Sequence, residues 1–251
     1  MIEGALALHD AALPVFMQFF ATFLRVGGMM LLVPGLGDRM IPVRVKLVAA
    51  FALSAAVAPS VVQPDTVPPG LIAVELTIGL ALGAVLRFVA MALTMAGMMA
   101  AQLTSLSQLF GGAEPSSAMG NILNLAGLAL LMASGLPLML VDMLIRSYDV
   151  LPMGLAPAGG DLAEWGVARA ARAFALAFGM AAPFALAALL YNAAMGVINR
   201  AMPQLMVALV GAPAITGASA VLLFLSAPLI LTVWRSAMLA ALGDPIGGGM
   251  P

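Results

Sequence analysis

From residue 173 to residue 199 the chain carries no charged side chain, and a second uncharged run extends from 204 to 233. Each run exceeds the roughly 20 apolar residues that a helix needs to cross a bilayer. In lipid no water is available for backbone N–H and C=O groups, so such runs must satisfy them internally, as α-helices. Four further stretches behave alike: 11–34, whose only charge is Arg25; 47–63; 70–110, charged only at Glu75 and Arg87; and 121–141. The whole chain is 63% hydrophobic and 8% charged, against about 25% charged in an ordinary soluble domain. The expected fold is all-α: a polytopic membrane protein of long, kinked helices and helical hairpins.

Breaks between the runs set the order of elements. Pro34, Gly35, Gly37 and Asp38 close the first run, and Arg39, Pro42, Arg44 and Lys46 form a short basic connection to the second. Met1 to Asp10 lacks the positive leader of a cleaved signal peptide, so the first span is expected to be retained. The stretch 70–110 is too long for one crossing and reads as two helices or one long bent helix. Its Gly79 and Gly83 form G-x-x-x-G, which lets two helix backbones approach closely. Asp142 and Arg146, four apart, share a helical face as an ion pair. Leu151 to Gly160, with Pro152, Gly154 and Pro157, is a connector. Asp161 and Glu164 match a capping box and suit the positive end of a helix dipole, so a long helix is expected to start there. The last two runs form a hairpin that turns at Arg200 and Pro203, with Pro183, Pro213 and Pro228 as expected kinks. Trp234 and Arg235 read as interfacial anchors closing the last span. The glycine-rich tail, 241–251, is expected to be flexible.

Chemistry is sparse. The chain has no cysteine and one histidine, His9, without a carboxylate cluster. That inventory does not support a metal site, a thiolate or histidine-based catalysis. Serines have no base, no glycine-rich loop joins a strand to a helix, and the net charge of −1 comes with no basic cluster. No catalytic, cofactor or metal site is expected, and nucleic acid is not an expected partner. Glu75 and Arg87 cannot pair on one straight helix, because twelve residues turn about 120° beyond whole turns. They line a water-filled path or an intersubunit contact, or else snorkel to the membrane interface. The 20 methionines, with Met29 and Met30, Met95, Met98 and Met99, and Met202 and Met206 in groups, either seal around a variable cargo or fill gaps between helices. The segment 102–120, including Gln102, Ser107, Leu109, Phe110, Gly111, Gly112, Ser116 and Ser117, has an apolar start and flexible glycines. It reads as a hydrophobic plug, since apolar constrictions stop ions by dewetting, or as an ordinary helix-to-helix turn.

Over nearly its whole length the sequence resembles the FliR-type flagellar biosynthesis proteins of the bacterial type III export gate. The resemblance rests on Arg25-Val26-Gly27-Gly28 through Pro34 to Pro42 and Arg44; on Glu75, Gly79 and Gly83; and on Ala96, Gly97 and Gln102. It continues with Gly135-Leu136-Pro137 to Ser147, Tyr148 and Leu151-Pro152-Met153-Gly154. Its strongest part is Gly196-Val197-Ile198-Asn199-Arg200-Ala201-Met202-Pro203-Gln204, followed by Gly211-Ala212-Pro213. The family pattern departs at Pro137, where a histidine is common, at Met206, where an asparagine is common, and around Ala214 to Thr216, which lack a usual basic residue.

The resemblance implies a structural, non-enzymatic subunit that packs with several P-type and Q-type subunits into a helical, pore-forming gate contacted by a B-type switch subunit. It places the gate in the flagellar basal body of the inner membrane, where unfolded rod, hook and filament proteins pass through it. Residues 1–150 would be the P-like part and 151–240 the Q-like hairpin, with the loop 102–120 helping to close the pore. Arg25, Glu75, Arg87, Arg200, Pro203 and Gln204 are then intersubunit or pore-lining candidates. The resemblance further implies helices buried against sister subunits, in a dome standing largely out of the bilayer. An injectisome subunit is the nearest alternative, a secondary transporter with inverted repeats a more distant one, and an intramembrane enzyme a third.

Overall fold

The computed structural model describes residues 2–38, 41–62, 69–103, 115–201 and 207–247. Among them are seven α-helices: α1 (Ile2–Met30), α2 (Val43–Val57), α3 (Leu71–Leu103), α4 (Pro115–Ala133), α5 (Leu136–Val150), α6 (Gly159–Ala201) and α7 (Val207–Gly243). Five are long and apolar enough to cross a membrane, and the bent pair α4–α5 forms a sixth candidate.

Of the two readings of 70–110, the described part follows the one-helix reading: α3 is a single helix of 33 residues. The uncharged run 121–141 is instead split. Gly135 adopts φ 85, a left-handed conformation that favours glycine, and Pro137 sits in the first turn of the next helix. The result is a 75° bend between α4 and α5. Uniform hydrophobicity hid that break. Helix α6, of 43 residues, is about 65 Å long at 1.5 Å per residue, roughly twice the hydrocarbon thickness of a bilayer. It starts at Gly159, which puts Asp161 inside the first turn. The carboxylate therefore faces the positive helix end as expected, but the helix begins too early for Asp161 to be its N-cap. Both long helices continue through their internal prolines, Pro183 in α6 and Pro213 and Pro228 in α7.

The described residues pack as two units, Met1–Phe88 with Met132–Arg169 and Leu239–Pro251, and Val89–Leu131 with Ala170–Met238. In the first, Gln18 of α1 donates to the carbonyls of Ala58 and Val61 at 2.8 and 2.5 Å, pinning the 3-10 turn Ala58–Ser60 that follows α2. Phe19 meets the Phe51 ring edge-on at 5.0 Å between centroids. Within the same unit the segment after α7 is fixed: Ile246 is buried, its carbonyl accepts from Trp165 Nε1 at 3.2 Å, and Asp244 caps the N–H of Gly247 at 2.7 Å. The tail therefore packs as far as Gly247, where flexibility was expected from 241. In the second unit Trp234 is fully buried and donates Nε1–H to the Val89 carbonyl at 2.7 Å. It is a core residue of that unit, not the interfacial anchor that its place beside Arg235 suggests, because α7 runs on to Gly243.

Candidate functional site

Close backbone approach between α1 and α3 builds the site. A Cβ added to Gly28 would lie 2.7 Å from the Leu76 carbonyl oxygen, one on Gly83 would lie 2.6 Å from that of Met29, and one on Gly79 would overlap that of Arg25. The G-x-x-x-G pair thus does what its spacing suggests. Glu75 stands one turn before Gly79, so the contact that seats the Arg25 backbone on Gly79 also brings the Arg25 side chain to Glu75.

Both side chains have 0% exposure. Arg25 Nε donates to Glu75 Oε2 at 2.7 Å and Nη2 to Oε1 at 3.2 Å, a bidentate pair. The remaining donors reach α5 and the connector after it: Nη1 to Ser147 Oγ at 3.1 Å and Nη2 to the Leu151 carbonyl at 2.9 Å. Glu75 Oε1 also accepts from the Gly154 N–H at 2.9 Å, and Oε2 from the Tyr148 hydroxyl at 3.4 Å. The Tyr148 ring lies 3.6 Å from the guanidinium carbon, a cation–π contact. Ser147 passes its own proton to the Leu144 carbonyl at 2.7 Å. Thr22, on the same helix as Arg25, is fully buried beside Tyr148.

Arg25 and Glu75 therefore satisfy each other within the chain, and Glu75 does not snorkel. Arg87 has a different partner, Asp38, at 2.6 Å, with both side chains partly exposed. Asp142 and Arg146 form the expected i,i+4 pair at 3.0 Å, largely in the open. The signal that would have found the buried cluster was present in the sequence: Arg25 and Glu75 are single charges in separate apolar runs, and lone charges of opposite sign in membrane helices usually find each other. Ser147, Tyr148, Leu151 and Gly154 lie in a block that carries the family resemblance, but no charge among them points to Arg25 or Glu75.

The other candidates fall elsewhere. Arg200 is exposed in the last turn of α6, where a positive charge complements the helix dipole. Gln102 is exposed near the end of α3. Ser107, Leu109, Phe110, Gly111 and Gly112 of the loop, and Pro203 and Gln204, lie outside the described residues; Ser116 and Ser117 belong to the first turn of α4. On either side of the loop, α3 and α4 touch backbone to backbone: a Cβ on Gly97 would come within 2.5 Å of the Gly120 Cα, and one on Gly120 within 2.8 Å of the Thr94 carbonyl oxygen. Among the described residues no group of three or more histidine, cysteine, aspartate or glutamate side chains could hold a metal ion.

A family model described as bacterial export proteins, family 1, matches residues 16–241. The sequence is 33% identical over 226 residues to the flagellar biosynthetic protein FliR of Caulobacter vibrioides, covering 84% of this chain and 89% of that one. It is 30% identical over 218 residues to FliR of Aquifex aeolicus, covering 83% and 84%, and 27% identical over 205 residues to FliR of Escherichia coli, covering 78% of each. With a match that takes in every helix carrying the buried cluster, the chain belongs to the FliR-type family of bacterial export proteins.

Proposed function

We propose that this protein is a structural subunit of the flagellar type III export gate, forming part of the closable channel through which unfolded rod, hook and filament proteins leave the cell across the inner membrane. The observation that carries this reading is the family match over residues 16–241. The flagellar branch is favoured over an injectisome by relatives that bear flagellar names. Physical features of the chain suit an assembly part. Helix α6 is too long for a single perpendicular crossing, and only six of the 27 residues of the apolar stretch Gly217–Gly243 are buried inside the chain. Phe174 and Phe178 on α6 and Phe224 and Leu225 on α7 stand exposed. An apolar surface of that kind is covered by lipid or by other subunits.

In this reading the covering neighbours are P-type and Q-type subunits, with a B-type switch subunit outside them. The 1–150 part takes a P-like place and the 151–240 hairpin a Q-like one. The loop within 102–120 closes the pore by presenting an apolar segment that a passing polypeptide displaces. Arg200, exposed at the end of α6, contacts a sister subunit. The test is deletion of the gene followed by affinity purification of the restored, tagged chain in mild detergent. Loss of swimming and of hook-protein secretion on deletion, with small helical membrane proteins co-purifying on restoration and fewer of them with Arg200→Ala, is the expected result. Intact secretion in the deletion strain, or a well-behaved monomer, would overturn the assignment.

A further inference from the structure

The buried pair has a second set of partners that charge neutralisation does not require. Arg25 Nη2 holds the Leu151 carbonyl at 2.9 Å and Glu75 Oε1 holds the Gly154 N–H at 2.9 Å, so both ends of the first four residues of the α5–α6 connector are tied to α1 and α3. We infer that Arg25 and Glu75 form a latch that holds this connector, and with it the start of α6, in its folded position.

The cluster is so arranged that the connector is its weakest part. Helices α1 and α3 are held independently of the pair by backbone contact at Gly28, Gly79 and Gly83. Helix α5 buries Leu140, Met143 and Leu144. The connector has less support: it is short, carries Pro152, buries only Leu151 and Met153, and meets Glu75 with Gly154 at φ 77, a conformation that costs other residues. Leu151 and Met153 are 8% exposed, while Leu155, one residue past the latch, is 59% exposed. A buried backbone donor or acceptor that loses its partner is expensive, so it moves to where it can be solvated. The part free to move is the connector.

A glutamine at position 75 would break the arrangement. Both carboxylate oxygens accept from the guanidinium, so whichever way the amide turned, its NH2 would face an Arg25 N–H. The absence of native cysteine makes the position of the connector directly readable. Met153→Cys reports on the connector, Met143→Cys on the packing of α5 (0% exposed), and Leu155→Cys is the accessible control. Each is placed in the full chain in native membranes and labelled with N-ethylmaleimide, with the extent scaled to the same sample denatured.

In the otherwise unchanged chain both methionine sites should be protected. Adding Glu75→Gln, which leaves a buried group unpaired, or Gly154→Ala with the pair intact, which strains the backbone at φ 77, should each raise the labelling rate at Met153→Cys by about tenfold and leave Met143→Cys protected. Protection of Met153→Cys in both backgrounds would overturn the latch. Simultaneous labelling of Met143→Cys would overturn it as well, because the pair would then be holding the whole unit together. Secretion is not the readout, so the latch and the export-gate assignment fail separately.

Discussion

Arg25 and Glu75 meet with no solvent contact on either side chain, and the cost of that burial decides how substitutions there behave. Two charges taken out of water are expensive, and their mutual attraction repays the cost only where geometry and extra hydrogen bonds are good. Here the pair is bidentate and supported by Ser147, the Leu151 carbonyl and the Gly154 N–H. Removing one partner strands the other, so Arg25→Ala or Glu75→Ala should each destabilise the chain by about 3–5 kcal/mol, whereas Arg25→Met with Glu75→Leu should cost far less than the two added. Denaturant unfolding in detergent, read as a double-mutant cycle, gives the coupling. Additive losses would show that the charges act separately. Asp142 and Arg146 offer the internal contrast: more than half exposed, they should tolerate Arg146→Ala with a loss within about 1 kcal/mol.

Helix pairs in this protein are set by where side chains are missing. Gly79 and Gly83 face the α1 backbone, and Gly97 and Gly120 face each other across α3 and α4. Lipid tails are as apolar as leucine, so close packing, not expulsion of water, holds such helices together. A methyl group at these points has nowhere to go except by parting the backbones. Gly97→Ala should therefore cost about 1–3 kcal/mol, in the range of overpacked cores, whereas Gly217→Ala, on α7 with open space around it, should be close to neutral. Relative thermal stability of the two variants in detergent checks this, and equal stability would mean that α3 and α4 are not held at that contact. The bend between α4 and α5 depends on the same economy of side chains: at φ 85 Gly135 has open space around it, yet a β-carbon would still strain the backbone.

At the scale of the whole molecule, the chain leaves large apolar side chains uncovered. Exposed phenylalanines and leucines along α6 and α7 fit a subunit that completes its burial against its neighbours. If the loop within 102–120 then closes the shared pore, shortening 107–117 should raise the ion conductance of the assembled gate in vesicles, and an unchanged conductance would remove the plug from the account. The sequence by itself determined the all-helical, membrane-spanning class, the close approach at Gly79 and Gly83, the Asp142–Arg146 pair and the family. All of these follow from composition, local spacing or motif, which act over a few residues or a helical turn. Tertiary structure decided the partner of Glu75, the break at Gly135, the burial of Trp234 and the docking of the chain as far as Gly247. Hydropathy gives the same reading for a residue facing lipid, a sister helix or the chain's own core, and only contacts between segments far apart in sequence, such as Arg25 and Glu75 at a separation of 50, tell them apart.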